Sequence, residues 1–300
     1  MRTGAAPPPG AAAPEGPPVL VSVIVPVYRQ WAAARRLLAD LAAQENAPPF
    51  EVVVVDNEPG AAPALAGDPG RPLRVLACAA PGSYAARNAG AAAARGAWLV
   101  FTDADCAPPP GWLAALGAAA ASHPGTLLAG PVEVVGGVPP NPCEIYDMIR
   151  GIPQARYVAR GYAATANLAV PAPVFAALGG FDARRFSGGD AEFCRRAGAR
   201  GVPLRLVPGA VTRHPARADW AELEDKARRI KGGQIRNGSP LRRIAWTLRT
   251  LLPPLRDARA YLGARAPARW RRIAIGLRFR LWRVEVAEML RLLAGGPARR

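Results

Sequence analysis

The sequence predicts an α/β fold in which a mostly parallel sheet is flanked by helices and followed by a basic helical extension. Apolar β-branched runs, typical of strands buried on both faces, alternate with stretches of helical period over the first half of the chain. Polar residues follow three of these runs, and the basic charge is concentrated near the carboxyl terminus. The alternation predicts the sheet, and the strand ends predict where a ligand binds.

The elements can be justified in chain order. The run at 19–26 (VLVSVIVP) is rich in β-branched residues and predicts the first strand. The apolar spacing of Trp31, Leu37, Leu38 and Leu41 then predicts a helix over 31–44. The elements predicted next are strands at 52–55 and 74–76, a helix over 84–95 and a strand at 97–101.

The second half of the chain is less regular. Glycine and proline are frequent over about 125–215, which favours loops that carry recognition residues on a rigid sheet. A charged helix is predicted over 219–235, opening at Asp219. The remaining 240–300 is expected to be helical with breaks at Pro253–Pro254 and near Pro267.

The composition limits the class of protein. The chain has 300 residues, half of them hydrophobic, which is enough for one large domain and an appendage. Residues 1–18 are almost entirely Ala, Pro and Gly, and we expect a disordered tail. No apolar stretch approaches the roughly 20 residues needed to span a bilayer. The four cysteines lack CxxC spacing, so free thiols in a reducing cytosol are expected rather than a zinc site.

The charge is unevenly distributed along the chain. Residues 1–200 carry 16 basic and 15 acidic side chains, whereas residues 201–300 carry 23 and 7, so the last third holds +16 of the net +17. Such a concentration indicates a polyanionic neighbour, whether membrane headgroups, nucleic acid or a phosphorylated substrate.

Two carboxylates stand one residue apart where the strand 97–101 ends. Side chains alternate along a strand, so Asp103 and Asp105 point to the same side if that geometry persists. A divalent cation would relieve their repulsion, and carboxylate oxygens suit Mg²⁺ or Mn²⁺. The alternative is an acidic turn that caps the next helix, which explains one aspartate better than two.

The sequence then resembles a known family. The motifs that carry the resemblance are, in order, VSVIVPVY (21–28), VVDN (54–57), YAARNAG (84–90), FTDAD (101–105), GGFD (179–182) and GGDAEFCRR (188–196). Together they resemble family 2 glycosyltransferases with the GT-A nucleotide-sugar-binding fold, over about residues 19–215. The aspartate pair with Ala104 between them is similar to that family's DXD motif.

The resemblance implies residues that bind a nucleotide-sugar donor. Asp56 would read the nucleotide base beside Pro26 and Tyr28, although a turn cap explains Asp56 alone. Arg87, near a helix N-terminus, suits an anionic nucleotide, although a surface arginine is equally consistent with the sequence. Within the DXD motif, Asp103, Ala104 and Asp105 would contact the donor. Asp105 would bind the metal, Mn²⁺ or Mg²⁺, and Asp103 the ribose or a metal-bound water.

The same resemblance implies residues for catalysis and for the acceptor. Asp190 would be the catalytic base, with Gly189 allowing close approach of a ligand; the alternative is that Asp190 only caps its helix. His214 would reach the metal or diphosphate, although a surface histidine is also consistent. Asn167 and Asp182 would bind acceptor hydroxyls, although turn roles explain both.

The expected enzyme is therefore an inverting, metal-dependent glycosyltransferase. It would transfer a sugar from a nucleotide-sugar, with a UDP-sugar favoured, to a saccharide or lipid-linked glycan in cell-surface polysaccharide biosynthesis. The expected catalytic domain is 19–218, with a donor half at 19–125 and an acceptor half at 126–218, and 219–300 is the basic helical region. We expect a cytoplasmic protein, peripheral on the inner face of the cytoplasmic membrane.

Other functions were weighed against this one. A polyprenyl-phosphate glycosyltransferase is the second candidate, but relatives of that kind usually have Leu-Gln after the DXD motif, where Cys106-Ala107 stands here. A nucleotidyltransferase would need a glycine-rich basic loop that residues 26–31 lack. A basic nucleic-acid-binding protein would explain the charge but not Asp103, Asp105 and Asp190, and no nucleic-acid partner is expected.

Two segments of the basic region are expected to behave differently. Segment 241–252 is an ordinary amphipathic helix with one apolar stripe, formed by Leu241, Ile244, Ala245, Leu248 and Leu252. Segment 269–293 has two opposite stripes with arginines between them. We expect one stripe to dock on protein and the other to lie on an anionic membrane, within a membrane-facing region of 241–293. A helix buried between protein layers or in a dimer is the equal alternative.

Overall fold

The computed structural model describes residues 20–60, 63 and 72–299, so the predicted tail at 1–18 lies outside the described residues. The early strands and helices follow the predictions to within three residues at their ends. The strands are β1 (Val21–Val27), β2 (Phe50–Asp56), β3 (Leu73–Ala77), β4 (Trp98–Thr102), β5 (Leu127–Ala129), β6 (Val132–Val135), β7 (Asn167–Pro171), β8 (Leu204–Leu206) and β9 (Thr212–Pro215).

The helices divide into those that cover the sheet and those that follow it. The first group is α1 (Trp31–Ala42), α2 (Ser83–Ala93), α3 (Trp112–Ser122), α4 (Pro142–Arg150), α5 (Gln154–Val158), α6 (Ala172–Ala177) and α7 (Gly189–Ala199). The second group is α8 (Trp220–Arg236), α9 (Pro240–Leu251), α10 (Leu255–Leu262) and α11 (Ala268–Leu293). The expected breaks at Pro253–Pro254 and Pro267 separate α9, α10 and α11.

The main sheet is mostly parallel, as predicted. Its strand order is β3-β2-β1-β4-β7-β5-β8, and β7 is antiparallel to both of its neighbours. Strand β1 pairs in parallel with β2 on one side and β4 on the other. The carboxyl ends of these three strands therefore meet at one edge, where ligands of such sheets bind.

Apolar layers cover both faces of the sheet. On one face, α1 and α3 bury Leu37, Leu41 and Trp112 against β1 and β4. The other face is packed by α2, α6 and α7 around a cluster of aromatic rings, among them Phe101 and Phe193. These two layers make the sheet edge a rigid platform.

A second, two-stranded sheet lies beside that edge. Strand β6 pairs in parallel with β9, and Ala107, just after the aspartate pair, exchanges backbone hydrogen bonds with Arg213 of β9. This pairing holds the next residue, His214, close to the end of β4 although the two are more than 100 residues apart in sequence.

Helix α11 is packed between protein layers. It lies against α4, α8, α9 and α10, with Leu281 and Met289 buried on its two different stripes. The indole nitrogen of Trp282, on the stripe expected to face a membrane, donates to the Thr250 carbonyl at 2.8 Å. That expectation for α11 is therefore wrong, and the alternative of burial between protein layers describes the helix.

Helix α9 shows the opposite arrangement. The apolar stripe of this amphipathic helix is exposed at Leu241, Ile244 and Leu248, and the exposure continues through Leu252 to Leu255. Among the residues that the structure describes, no helix combines the length and apolar character needed to cross a membrane.

Candidate active site

A cavity of about 710 Å³ opens at the carboxyl edge of the main sheet. It is walled by the ends of β1 and β4, the starts of α2 and α7, and residues of α8 and α9. The structure brings seven of the residues predicted from sequence to this cavity: Pro26, Tyr28, Arg87, Asp103, Asp105, Asp190 and His214.

Three of these residues form a cluster suited to a divalent metal. Asp103, Asp105 and His214 each offer one ligand atom, and the three atoms lie within 4.8 Å of one another. His214 Nε2 is 3.5 Å from Asp105 Oδ1. Burial and the neighbouring Asp103 charge raise the pKa of Asp105, as expected when two carboxylates share a site. Two carboxylates and one imidazole are a donor set that fits Mn²⁺ or Mg²⁺.

The His214 ring is held in a defined orientation. Its Nδ1 lies 2.8 Å from the carbonyl oxygen of Pro215, the last residue of β9. If Nδ1 carries the proton and donates to that carbonyl, Nε2 is left as an acceptor facing Asp105. Such a backbone hydrogen bond is the usual way in which a ligating imidazole is fixed.

Arg87 contributes a buried positive charge beside the metal cluster. Its guanidinium donates to Asp103 Oδ1 and lies 5.7 Å from the centre of the Tyr84 ring. The side chain is almost fully buried, yet its Nε has no hydrogen-bond partner within the described part of the chain. A buried, unsatisfied donor is costly, so this nitrogen is suited to an anionic ligand such as a diphosphate.

The start of α2 is positioned by Asn57, the residue that follows β2. The Asn57 amide donates to the carbonyls of Cys78 and Ala80 and accepts from the Gly82 backbone nitrogen at 3.0 Å. An aspartate could not donate to those two carbonyls. Asn57 therefore fixes the loop before α2, and with it the position of Arg87.

Asp190 also lines the cavity, in the first turn of α7. Its Oδ1 accepts from the backbone nitrogen of Ala191 at 2.8 Å. Burial raises the pKa of this carboxyl, against the lowering effect of that hydrogen bond and of Arg87. Gly189 is required here because a Cβ at this position would lie 2.7 Å from the Tyr84 ring. The arrangement holds a carboxylate of raised basicity against the cavity.

Five of the predicted residues do not line the cavity. Asp56 is buried and accepts from the Glu58 backbone nitrogen at 3.0 Å, as the turn alternative expects, and Ala104 is part of the core. Gly189 contributes space rather than a contact. The two predicted acceptor residues, Asn167 and Asp182, are described next.

Asn167 and Asp182 have other partners in the structure. The Asn167 amide is fully buried and binds the Trp112 indole nitrogen and the carbonyls of Pro131 and Ala210. Asp182 pairs with Arg184 at 2.9 Å and with Arg185 at 3.1 Å. The side chains of Asn167 and Asp182 therefore have structural roles, because their hydrogen bonds and ion pairs are made within the protein.

Apart from Arg87, sequence reasoning did not identify the basic side chains of the cavity. Seven more line it among the described residues: Arg150, Arg185, Arg195, Arg217, Lys226, Arg229 and Arg242. They come from several loops and helices, and no local motif joins them. The sequence feature that could have indicated these residues is the net charge of +16 over residues 201–300, to which Arg217, Lys226, Arg229 and Arg242 contribute.

A buried carboxylate organises part of this basic wall. Asp147 of α4 binds Arg217 at 2.9 Å and Lys226 at 3.3 Å, with Arg150 at 3.9 Å. Burial alone would raise the pKa of Asp147, but these cations lower it to about 2. Burial and the neighbouring arginines also hold the pKa of Lys226 well below its usual range. Asp147 thereby fixes α8 beside the cavity.

The sheet order, the carboxylate–histidine cluster and the basic cavity define a class of protein, the GT-A glycosyltransferases. Solved structures support the fold. A mannosyltransferase from Pyrobaculum calidifontis, PcManGT in complex with GDP-Man and Mn²⁺, has a TM-score of 0.53 at 20% identity, over 91% of this chain and 85% of that one. S. aureus TarS 1-349 in complex with UDP-GlcNAc has a TM-score of 0.53 at 17% identity, over 94% and 93%.

Sequence comparisons give the family. The model of Glycosyl transferase family 2 matches residues 22–170. The chain is 34% identical over 226 residues to glycosyltransferase AglE of Haloferax volcanii, and the aligned residues make up 72% of this chain and 73% of AglE. It is 30% identical over 221 residues to the pre-mycofactocin glycosyltransferase of Mycobacterium tuberculosis, and these residues make up 44% of the length of that protein. The chain belongs to glycosyltransferase family 2 and is a glycosyltransferase.

Proposed function

We propose that this enzyme is an inverting, metal-dependent glycosyltransferase that uses a nucleotide-sugar donor, a UDP-sugar in the first instance. The acceptor is a hydroxyl of a saccharide or glycolipid in cell-surface polysaccharide biosynthesis. The observation that carries the proposal is that the Asp103–Asp105–His214 cluster, Arg87 and Asp190 all line one cavity.

The cluster is the donor side of the proposed site. Asp105 and His214 Nε2 would hold Mn²⁺ or Mg²⁺, and Asp103, oriented by Arg87, would bind the ribose or a metal-bound water. A divalent cation there would supply Lewis-acid neutralisation of the departing diphosphate. Arg87 adds a fixed positive charge that needs no reorganisation when the leaving group develops its charge.

Asp190 is the proposed catalytic base. Its carboxylate, which the Ala191 nitrogen, the Tyr84 hydroxyl and the Thr165 backbone hold in place, would take the proton from the acceptor hydroxyl. The hydroxyl oxygen attacks the anomeric carbon as the bond to the diphosphate breaks, so a single displacement inverts the configuration. Burial favours this role because it raises the proton affinity of the carboxylate.

We also propose a location, peripheral on an anionic membrane at the inner face of the cytoplasmic membrane. The exposed apolar stripe of α9 and the arginines beside it support this, since such a surface suits a headgroup layer. Of the predicted membrane-facing region 241–293, α9 and the start of α10 are the parts with these features.

A polyprenyl-phosphate acceptor is the second candidate. The unpaired positive charge of the cavity favours it: among the described residues, no carboxylate lies within ion-pair distance of Arg195, Arg229 or Arg242, which all line the cavity. A phosphate on the acceptor would supply the missing negative charge. In that reaction a phosphate oxygen replaces the sugar hydroxyl as the nucleophile.

The experiment compares two conservative variants. Asp190→Asn should lower kcat by about 100-fold to 10,000-fold while nucleotide binding is retained, since only proton transfer is lost. Asp105→Asn should instead weaken Mn²⁺-dependent nucleotide binding. Calorimetry with UDP, GDP and dTDP, with and without Mn²⁺, measures the second effect, and transfer from the nucleotide-sugar that binds measures the first.

Asp225→Asn is the matched control, because Asp225 is exposed on α8 and does not line the cavity. The wild-type rate should fall as the pH is lowered through the pKa of Asp190, because the base must be unprotonated. That inflection should lie above the ordinary range of an aspartate. Turnover retained by Asp190→Asn would remove this residue from the base role.

A further inference from the structure

Three arginines from three separate segments line the cavity. Arg185 precedes the Gly188 turn, Arg195 lies on α7 and Arg242 lies on α9. Arg185 pairs with Asp182 at 3.1 Å, and Arg195 stacks on the Tyr162 ring at 4.9 Å from its centre. The described residues place no carboxylate within ion-pair distance of Arg195 or Arg242. We refer to Arg185, Arg195 and Arg242 as the arginine triad.

The members of the triad are close enough to repel one another. After burial, the charges of Arg195 and Arg185 are the causes that lower the pKa of Arg242. One carboxylate, that of Asp182, is shared between Arg184 and Arg185 and cannot neutralise three guanidiniums. A cluster of this kind is stabilised by an anion, and guanidiniums present forked donors that match phosphate oxygens.

The donor diphosphate is expected at the metal cluster, so the triad requires a second anion. On the β4 side, the diphosphate already has Arg87 as a counter-charge, together with the divalent cation that the Asp103–Asp105–His214 cluster would hold. Arg195 is five residues beyond Asp190 on α7, about 7.5 Å further along the helix axis. An anion on the triad is therefore displaced along α7 from the base, which leaves Asp190 free for a hydroxyl of the same acceptor.

Helix α9 connects the triad to an apolar surface. Its residues Arg242 and Trp246 line the cavity. On the same helix Leu241 is 80% exposed, Ile244 56% and Leu248 60%. An anionic group on Arg242 that carries a hydrocarbon chain would thus have an apolar path leading out of the cavity along α9.

We propose that the arginine triad binds the phosphate of a lipid-linked acceptor, whose hydrocarbon chain leaves the cavity along the exposed leucines of α9. The proposal deepens the proposed function, on which it rests for the sugar transfer itself. The bound phosphate anchors the acceptor, and the nucleophile remains a sugar hydroxyl near Asp190. No bond to the phosphate is made or broken.

The test is a calorimetric titration of octyl phosphate, below its micelle concentration, into the full chain with UDP and Mn²⁺ present. We expect octyl phosphate to bind, and Arg195→Gln and Arg242→Gln each to weaken it about tenfold, as loss of one charge-assisted hydrogen-bonding partner does. Arg243→Gln is the control: this neighbour on α9 donates to the Ile235 carbonyl at 2.8 Å and does not line the cavity. It should leave the affinity unchanged.

The other outcomes each decide the proposal. If octanol binds as tightly as octyl phosphate, only the hydrocarbon chain of the ligand is recognised. If glucose 1-phosphate or inorganic phosphate binds as tightly, the ligand is a water-soluble phosphate. Either result overturns the proposal. So would an equal loss in all three arginine variants, since that indicates a general charge effect. If UDP fails to bind while octyl phosphate binds with the expected variant pattern, the donor proposal fails and the triad proposal stands.

Discussion

Helices α9 and α11 are both amphipathic and arginine-rich, yet their apolar stripes have opposite environments. The 26 residues of α11 carry two stripes, and both are covered: Leu281 and Met289 are buried, and the Trp282 indole is bonded to the Thr250 carbonyl. The 12 residues of α9 carry one stripe, and it faces solvent.

The arginines of the two helices differ in the same way. Arg278 of α11 pairs with Asp257 at 2.7 Å and with Glu285 at 3.3 Å, inside the helical region. Arg243 and Arg249 of α9 are exposed and have no carboxylate within ion-pair distance among the described residues. Amphipathicity therefore shows that a helix needs a partner, and the pairing of its charges indicates whether that partner lies within the chain.

The largest expected difference between the helices is in stability. Leu281→Ala should lower the free energy of unfolding by about 2–5 kcal/mol, because it opens a cavity in a packed site. Leu248→Ala, at an exposed position of α9, should change it by less than about 0.5 kcal/mol. Denaturant unfolding measures both. Leu290→Ala, exposed on α11 itself, is the control, and equal losses at Leu281 and Leu248 would contradict the contrast.

The second difference concerns membranes. The double variant Ile244→Ser, Leu248→Ser should lower partition onto phosphatidylglycerol-containing vesicles at least about tenfold, since two apolar side chains no longer enter the interface. Flotation of the full chain with vesicles measures it. The double variant Leu290→Ser, Leu293→Ser alters two exposed leucines of α11 and should leave partition unchanged. An equal loss in both pairs would mean that α9 has no special role.

Much of the fold was predictable because its signals are local. The β-branched runs at β1 and β2 are typical of strands buried on both faces, and the proline ring itself prevents a helix from continuing between α9, α10 and α11. The sequence could not predict whether the apolar stripes of α9 and α11 are buried or exposed, because the periodicity of one helix does not show which other helices pack against it.

The candidate site was partly predictable for the same reason. Asp103 and Asp105 adjoin a strand end, so their position follows from the sheet, and resemblance added Asp190 and His214. Asn167 was placed wrongly because its amide is used by Trp112, a contact across 55 residues that no local pattern reveals. The arginine triad went unnoticed because each member comes from a different element.

The smallest expected effect separates the membrane surface from the arginine triad. Arg243→Gln removes one exposed charge of α9 and should weaken binding to phosphatidylglycerol-containing vesicles about fivefold, since a basic residue near an anionic surface contributes about 1 kcal/mol. The loss should shrink in high salt and vanish on phosphatidylcholine vesicles, because it is electrostatic. Arg283→Gln, exposed on α11, should leave binding unchanged.

The same Arg243→Gln variant is expected to keep full affinity for octyl phosphate, whereas Arg242→Gln weakens that affinity about tenfold. Two neighbouring arginines would then serve different ligands, because successive residues of a helix point about 100° apart: Arg242 lines the cavity and Arg243 does not. If both substitutions weakened both ligands by the same factor, α9 would be one diffuse basic surface. The distinction between a phosphate site and a membrane-facing stripe on this helix would then be lost.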